Sequence, residues 1–309
     1  GVHVHDGGIG MNGPVAFPLT DAGDGTYVLA ETNISPSNLD ALTNGEWYLN
    51  VHTTANPNGE VRGQIVPDTT AVVTFSLSGS QSVPAVDTMA MGSGYALFDT
   101  TNNSVSLVAV TTLENATMAH IHSGFAGENG DVVVTLVESE TTAGVWMTDG
   151  SVALDEATAA QLLAGGHYVN IHSEAFASGE IRGQITPDNI EVYGIIASGL
   201  QEVPAVTTTA SGAGAFTLNT STGALSGSVT VTGMTATMAH IHEGEAGVNG
   251  GVLLGLTAGA DGMWSVPANT MLTAEQMGVM ADGGLYTNFH SDAFPSGEIR
   301  GQITLGFDQ

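Results

Sequence analysis

The chain has 309 residues and carries 31 acidic side chains against three arginines, with no lysine and no cysteine, for a formal net charge of −28. Such a field repels nucleic acid and anionic membranes, which are bound by cations set against phosphate, and the missing thiols exclude disulfides and thiolate metal sites. No run approaches the roughly 18–20 apolar residues that span a bilayer, and the acidity is that of an extracellular protein from a saline setting.

In chain order, "GVHVH" places His3 and His5, and a glycine-rich run, "HDGGIGMNG", follows at once. "WYLNVHT" then brings His52, and "GEVRGQI" places Arg62 ten residues later. Beyond Asp68 come "VVTFSLSG", "GYALFDT", "SVSLVAVTT" and "DVVVTLV". These are short, β-branched and alternating, with Gly, Asn and Thr turns between them, so they predict strands. Within this stretch "MAHIH" carries His120 and His122, followed by "HSGFAGENG". "LDEATAAQLLAGG" predicts a short helix with Asp155 as its cap and glycine as its stop. "HYVNIHS" then adds His172, with Arg182 ten residues on. The pattern returns with "MAHIH" carrying His240 and His242, then "HEGEAGVNG" and a helix in "LTAEQMGVMADGG" with a Thr273…Gln276 capping box. "LYTNFHS" supplies His290, and Arg300 closes the series.

Three copies of one unit account for this order, with boundaries expected near Asp68 and Asp188, giving modules 1–68, 69–188 and 189–309. All three arginines are one repeated residue, and nine of the ten histidines are three copies of three. Each unit reads as an antiparallel β-sandwich or flattened barrel with one short helix. The linkers are short, so the units are expected to sit like beads with restricted hinges. The first unit lacks the half that holds "QSVPAV" in the second and "QEVPAV" in the third. Two explanations stand: residues precede Gly1, or another chain adds the missing strands and builds a linear polymer.

Side chains at i and i+2 of a strand share a face, so each His-x-His pair projects together. A third histidine from the Tyr-x-Asn-x-His strand can join it around one ion. Three neutral nitrogens without a thiolate suit copper(II), zinc or nickel. His167 is matched by Trp47 and Leu285 and is expected to be structural. Met118 and Met238 lie on the histidine face and could ligate as soft donors, but core packing is the expectation. Asn50, Asn170 and Asn288 would either orient an imidazole or close a strand. Glu60/Arg62, Glu180/Arg182 and Glu298/Arg300 are expected to pair as ions that hold the fold. The glycine-rich loops predict tight turns, and nothing marks them as phosphate sites.

"MAHIHSGFAGENGDVVV…YVNIHSEAFASGEIRGQI" resembles the CHRD domain, a repeat named after chordin and also found in bacterial surface proteins. The resemblance spans nearly the whole chain. It implies the immunoglobulin-like Greek-key fold of copper/zinc superoxide dismutase, since "GVHVHDGG" and "YLNVHT" resemble that enzyme's copper-binding strands. Carried over, the copper ligands are His3, His5 and His52; His120, His122 and His172; His240, His242 and His290. No histidine matches the copper–zinc bridge, and the zinc ligands have no counterpart. The implied site is therefore a mononuclear three-histidine copper, with zinc as the alternative metal.

On this basis the expected function is an extracellular fibre, matrix or adhesive surface protein. It would self-associate and hold one metal ion per module, without nucleic acid or membrane insertion. The alternatives are a copper redox enzyme of dismutase type and a copper storage or handling protein. The negative field disfavours steering of superoxide.

Overall fold

The structure, a computed structural model, describes residues 1–306, so the end of the third expected module, 307–309, lies outside the described residues. In the second repeat the strands run Val145–Met147, Val132–Glu138, Ala116–Ser123, His167–Ser173, Ile181–Gln184, Thr70–Ser78, Met91–Asp99 and Ser104–Thr111, each hydrogen-bonded to the next. Ser104–Thr111 pairs in turn with Val145–Met147, which closes the sheet into a flattened barrel. Every one of these pairings is antiparallel. Ala116–Ser123 follows Ser104–Thr111 in sequence but pairs with His167–Ser173 instead, a Greek-key crossover. The third repeat keeps the same order, from Gly251–Gly255 through Met238–Glu243, Leu285–His290, Ile299–Leu305, Ile190–Ser198 and Ser211–Asn219 to Leu225–Thr232.

Alternation puts one face of each strand inside. Val73, Phe75 and Leu77 from Thr70–Ser78 meet Ala96 and Phe98, Leu107 and Ala109, and Val169 and Ile171 in one buried cluster. That cluster draws only on residues 71–185, and its counterpart in the third repeat only on residues 193–303. Each of these two units therefore has its own complete core. The first repeat has a four-stranded sheet, in the order Val15–Pro18, Val2–Asp6, Trp47–Val51, Val61–Ile65, plus the hairpin Thr20–Gly23/Thr26–Val28. The chain is nearly all β, in tandem sandwich or barrel modules.

Each module has one eight-residue helix before its last histidine strand: Pro36–Thr43, Glu156–Leu163 and Ala274–Ala281. Their caps follow the sequence signals. Asp155 accepts from the Thr158 N–H, and Thr273 and Gln276 form the reciprocal capping box. None of the described helices is long and apolar enough to cross a membrane.

The modules touch directly rather than through free linkers. The loop 124–130 of the second module lies on the sheet of the third, where the Ser228 hydroxyl donates to the Gly127 carbonyl at 2.8 Å and the Ala126 N–H donates to Thr217 Oγ1 at 3.2 Å.

Candidate metal centre

Each histidine pair sits on the strand that neighbours the third histidine's strand. His120 is in register with Asn170, His122 with Tyr168, and Met118 with His172. The third module repeats this with His240/Asn288, His242/Tyr286 and Met238/His290, and the first with His3/Asn50 and His5/Tyr48. The opposite edge of each pair strand has a register shift at its second histidine, between Val4 and His5, Ile121 and His122, and Ile241 and His242. A bulge kinks a strand locally and re-aims its side chains.

The nine expected residues come together as three triads: His3, His5 and His52; His120, His122 and His172; His240, His242 and His290. Within each triad the candidate ligand atoms all lie within 4.8 Å of one another. Two metal–nitrogen bonds of about 2.0–2.1 Å span at most ~4.2 Å, so the widest pair that limit allows would need to close by under ~1 Å to share one ion.

Backbone carbonyls set which nitrogen of each ring is bare. His122 Nδ1 is 3.0 Å from the Gly130 carbonyl, and His172 Nδ1 is 2.9 Å from that of Ala177. A carbonyl only accepts, so Nδ1 carries the proton and Nε2 keeps its lone pair. His242 and His290 do the same against Gly250 and Pro295, and His5 and His52 against Gly13 and Pro57. Six of the nine rings are thus fixed as Nε2 donors. In His5, His52, His122 and His242 that nitrogen is buried without a hydrogen-bond partner, and a buried lone pair of this kind is uncommon unless something fills it. The remaining ring of each pair turns its other nitrogen inward. His120 Nδ1 is 3.1 Å from His172 Nε2, and His240 Nδ1 is 3.1 Å from His290 Nε2. Two nitrogens at that spacing subtend about 100° at an ion bound at ~2.0–2.1 Å. The donor set is therefore two Nε2 and one Nδ1, all neutral imidazole, and it fits copper(II) or zinc with coordination left open. Burial holds His120, His122, His242 and His290 below the ordinary imidazole value, and the neighbouring rings push the same way. Those four rings are accordingly held toward the neutral form, the form that binds a cation.

A second layer braces this set. The Tyr168 ring stacks on His122, with centroids 5.1 Å apart and planes 10° apart, and the Arg182 guanidinium lies over the Tyr168 ring at 3.5 Å from its centroid. Arg182 also donates to the Glu128 and Phe125 carbonyls and to Gln184. Burial lowers it to about 10, still a cation at neutral pH. Tyr48 with Arg62 and Tyr286 with Arg300 repeat the stack on His5 and His242.

These arginines correct one sequence expectation: they do not pair with Glu60, Glu180 or Glu298. Those carboxylates accept from hydroxyls instead, Glu180 from Thr88 and Ser173, Glu298 from Thr208 and Ser291, and Glu60 from Thr53. Each Glu stands just before the strand that carries its Arg, and the arginine reaches instead to the loop that follows the histidine pair. The methionines are a second correction. Met118 and Met238 are 46% and 48% exposed rather than packed in the core, because the histidine face lies outside the barrel. Asn50 and Asn170 donate to the Asn58 and Ser178 carbonyls, closing the strand rather than holding an imidazole. His167 is fully buried and belongs to no triad.

Tyr48, Tyr168 and Tyr286 share the face of the Asn and His in Tyr-x-Asn-x-His, but no role beside the metal was expected of them. Their signal was present, since each stands four residues before a triad histidine on the same strand and therefore shares its face.

The CHRD domain family matches residues 1–65, 73–185 and 193–303. This chain is a CHRD-domain protein. Each of the three CHRD matches contains one complete triad with its tyrosine and arginine. Among curated proteins no match to this CHRD chain was found.

Proposed function

We propose that the chain is an extracellular repetitive scaffold whose CHRD modules each hold one copper ion on His3/His5/His52, His120/His122/His172 and His240/His242/His290. The observation that carries this is the fixed tautomer: in every module two Nε2 lone pairs are turned toward the triad by carbonyls that accept from Nδ1. Bound copper would supply a Lewis-acidic, redox-capable centre. The chain's own residues orient the rings, and the Tyr–Arg stack keeps the second histidine of each pair in place. Tandem modules in direct contact and high acidity support an extracellular scaffold. The strand Val61–Ile65 forms one edge of the four-stranded sheet, with Val61 exposed, which supports strand addition at that edge.

Copper titration of metal-free protein tests the reading. Three equivalents per chain are expected, with an axial electron paramagnetic resonance spectrum of nitrogen ligation. His122→Ala should leave two. Binding of less than one equivalent, or a stoichiometry unchanged by His122→Ala, overturns the assignment. Competition with zinc identifies the preferred metal.

A further inference from the structure

The loop after each histidine pair does more than fold back on its own module. In the second module, loop 124–130 lies on the third module's strands Ser211–Asn219 and Leu225–Thr232. Ala126 is 1% exposed there, and it and Gly127 are bound by Thr217 and Ser228. A Cβ on Gly127 would fall 2.3 Å from the Ser228 carbonyl oxygen, and one on Gly227 2.7 Å from that of Ala126, so the two backbones meet through glycine. In the first module the equivalent loop lies against the second module's Met91–Asp99 and Ser104–Thr111. A Cβ on Gly10 would meet Val108 at 3.1 Å and Met147 at 3.3 Å. Val108 and Ser228 occupy the same repeat position, 120 residues apart, as do Gly10 and Gly127, 117 apart. One interface is therefore used twice, head to tail.

The third module carries the same loop with the same backbone. Gly247 has φ 79°, against 81° at Gly127 and 70° at Gly10. Arg300 clasps the Glu245 and Val248 carbonyls as Arg182 clasps those of Phe125 and Glu128. Yet Glu245, Ala246, Gly247 and Val248 are exposed. The loop is preformed and uncovered.

We infer that loop 244–250 is a docking surface for a further CHRD module, received on the strand face equivalent to Met91–Asp99/Ser104–Thr111. Successive copies of a heterologous contact of this kind run head to tail, ending as a ring where the rotation closes and as an open array where it does not. The inference deepens the scaffold reading by naming the partner, and it is independent of the metal because no docking contact uses an imidazole.

The test uses the full chain as donor and residues 69–188 as receiver. That unit has a complete core, and removing the first module frees its strand face. Ala126→Arg in the receiver blocks its own loop and prevents self-association. Sedimentation velocity on metal-free and copper-loaded protein should show a 1:1 complex in both states. Ala246→Arg in the full chain, at a site exposed in the free molecule, should weaken it at least tenfold. A folded receiver that forms no complex, or a complex indifferent to Ala246→Arg, overturns the inference. Residues 189–309 alone give an independent check, having both a free face and a free loop. They should self-associate, and Ala246→Arg should return them to monomer. Persistent monomer in the unsubstituted fragment counts against the inference. Loss of complex only in copper-free samples would trace the contact to metal and likewise overturn it.

Discussion

Tyr168 lies flat against His122, its ring planes 10° from parallel, while its hydroxyl accepts the Gly130 N–H at 3.2 Å. The Gly130 carbonyl in turn accepts from His122 Nδ1. Tyrosine, loop and imidazole thus form a closed circuit that fixes both the tilt and the tautomer of one ring. Gly130 is required in it, because a Cβ there would fall 1.9 Å from the Ser123 carbonyl oxygen.

Tyr168→Phe keeps the stack and removes only the acceptor. It should cost about 1 kcal/mol of stability and weaken copper at the second module roughly tenfold, as outer partners of ligands commonly do. Tyr168→Leu removes the stack as well and should weaken copper further. Isothermal titration against a competing chelator reads both, and equal affinities in the two variants would argue against a role for the ring.

Much of this was legible in sequence, for a physical reason. A strand has a period of two, so His-x-His and Tyr-x-Asn-x-His each declare a shared face, and three repetitions separate the pattern from accident. The helix caps at Asp155 and Thr273 were legible because capping is local chemistry. The arginines were not. Two residues apart, Glu180 and Arg182 read as an ion pair, but Arg182 spends its donors on carbonyls of loop 124–130, more than fifty residues away in sequence, and only the fold brings that loop back. The methionines misled because an apolar residue on an alternating strand suggests the inside, whereas here the polar triad shows that this face lies outside.

Met118 and Met238 make the sites unequal. Each stands in register with the third histidine of its triad, where the first module has Gly1 across from His52. A thioether is a soft donor suited to copper(I). On the copper reading, the second and third modules should hold copper(I) more tightly than the first. Met118→Leu with Met238→Leu should abolish the difference while leaving three copper(II) ions per chain. X-ray absorption of the reduced protein checks this directly, because a sulfur scatterer should be present and then lost in the double variant.

His167 predicts acid sensitivity in the second module. It is fully buried, and burial lowers it from its ordinary 6.5 to about 4. Between those values the unfolded chain binds the proton and the folded one does not. Stability therefore falls as pH drops from about 6.5 toward 4, by about 3 kcal/mol in full. His167→Leu, the residue found at position 285 of the third module, should remove this component. Melting curves of the two proteins should stay close at pH 7.5 and separate below pH 6, with the variant the more stable. Parallel curves down to pH 4 would show that His167 does not carry the effect.

Glu202 predicts the opposite slope in the third module. Its carboxyl is buried, with Oε1 lacking a partner beside the equally unpartnered Asn288 Oδ1, and burial outweighs the attraction of Arg300. The folded value rises from 4.5 to about 6, so the folded chain holds its proton longer than the unfolded one. Stability is thus greatest below pH 4.5, declines as pH rises through 6, and stays about 2 kcal/mol lower above it. The second module has Ser82 at this place, whose hydroxyl donates to the Glu180 carbonyl and leaves no buried charge. Glu202→Gln should therefore raise the unfolding midpoint of the third module at pH 7.5 and lose that advantage below pH 4.5. Chemical denaturation of residues 189–309 at the two pH values measures it, and a variant less stable than the parent at pH 7.5 would mean that Arg300 needs the carboxylate.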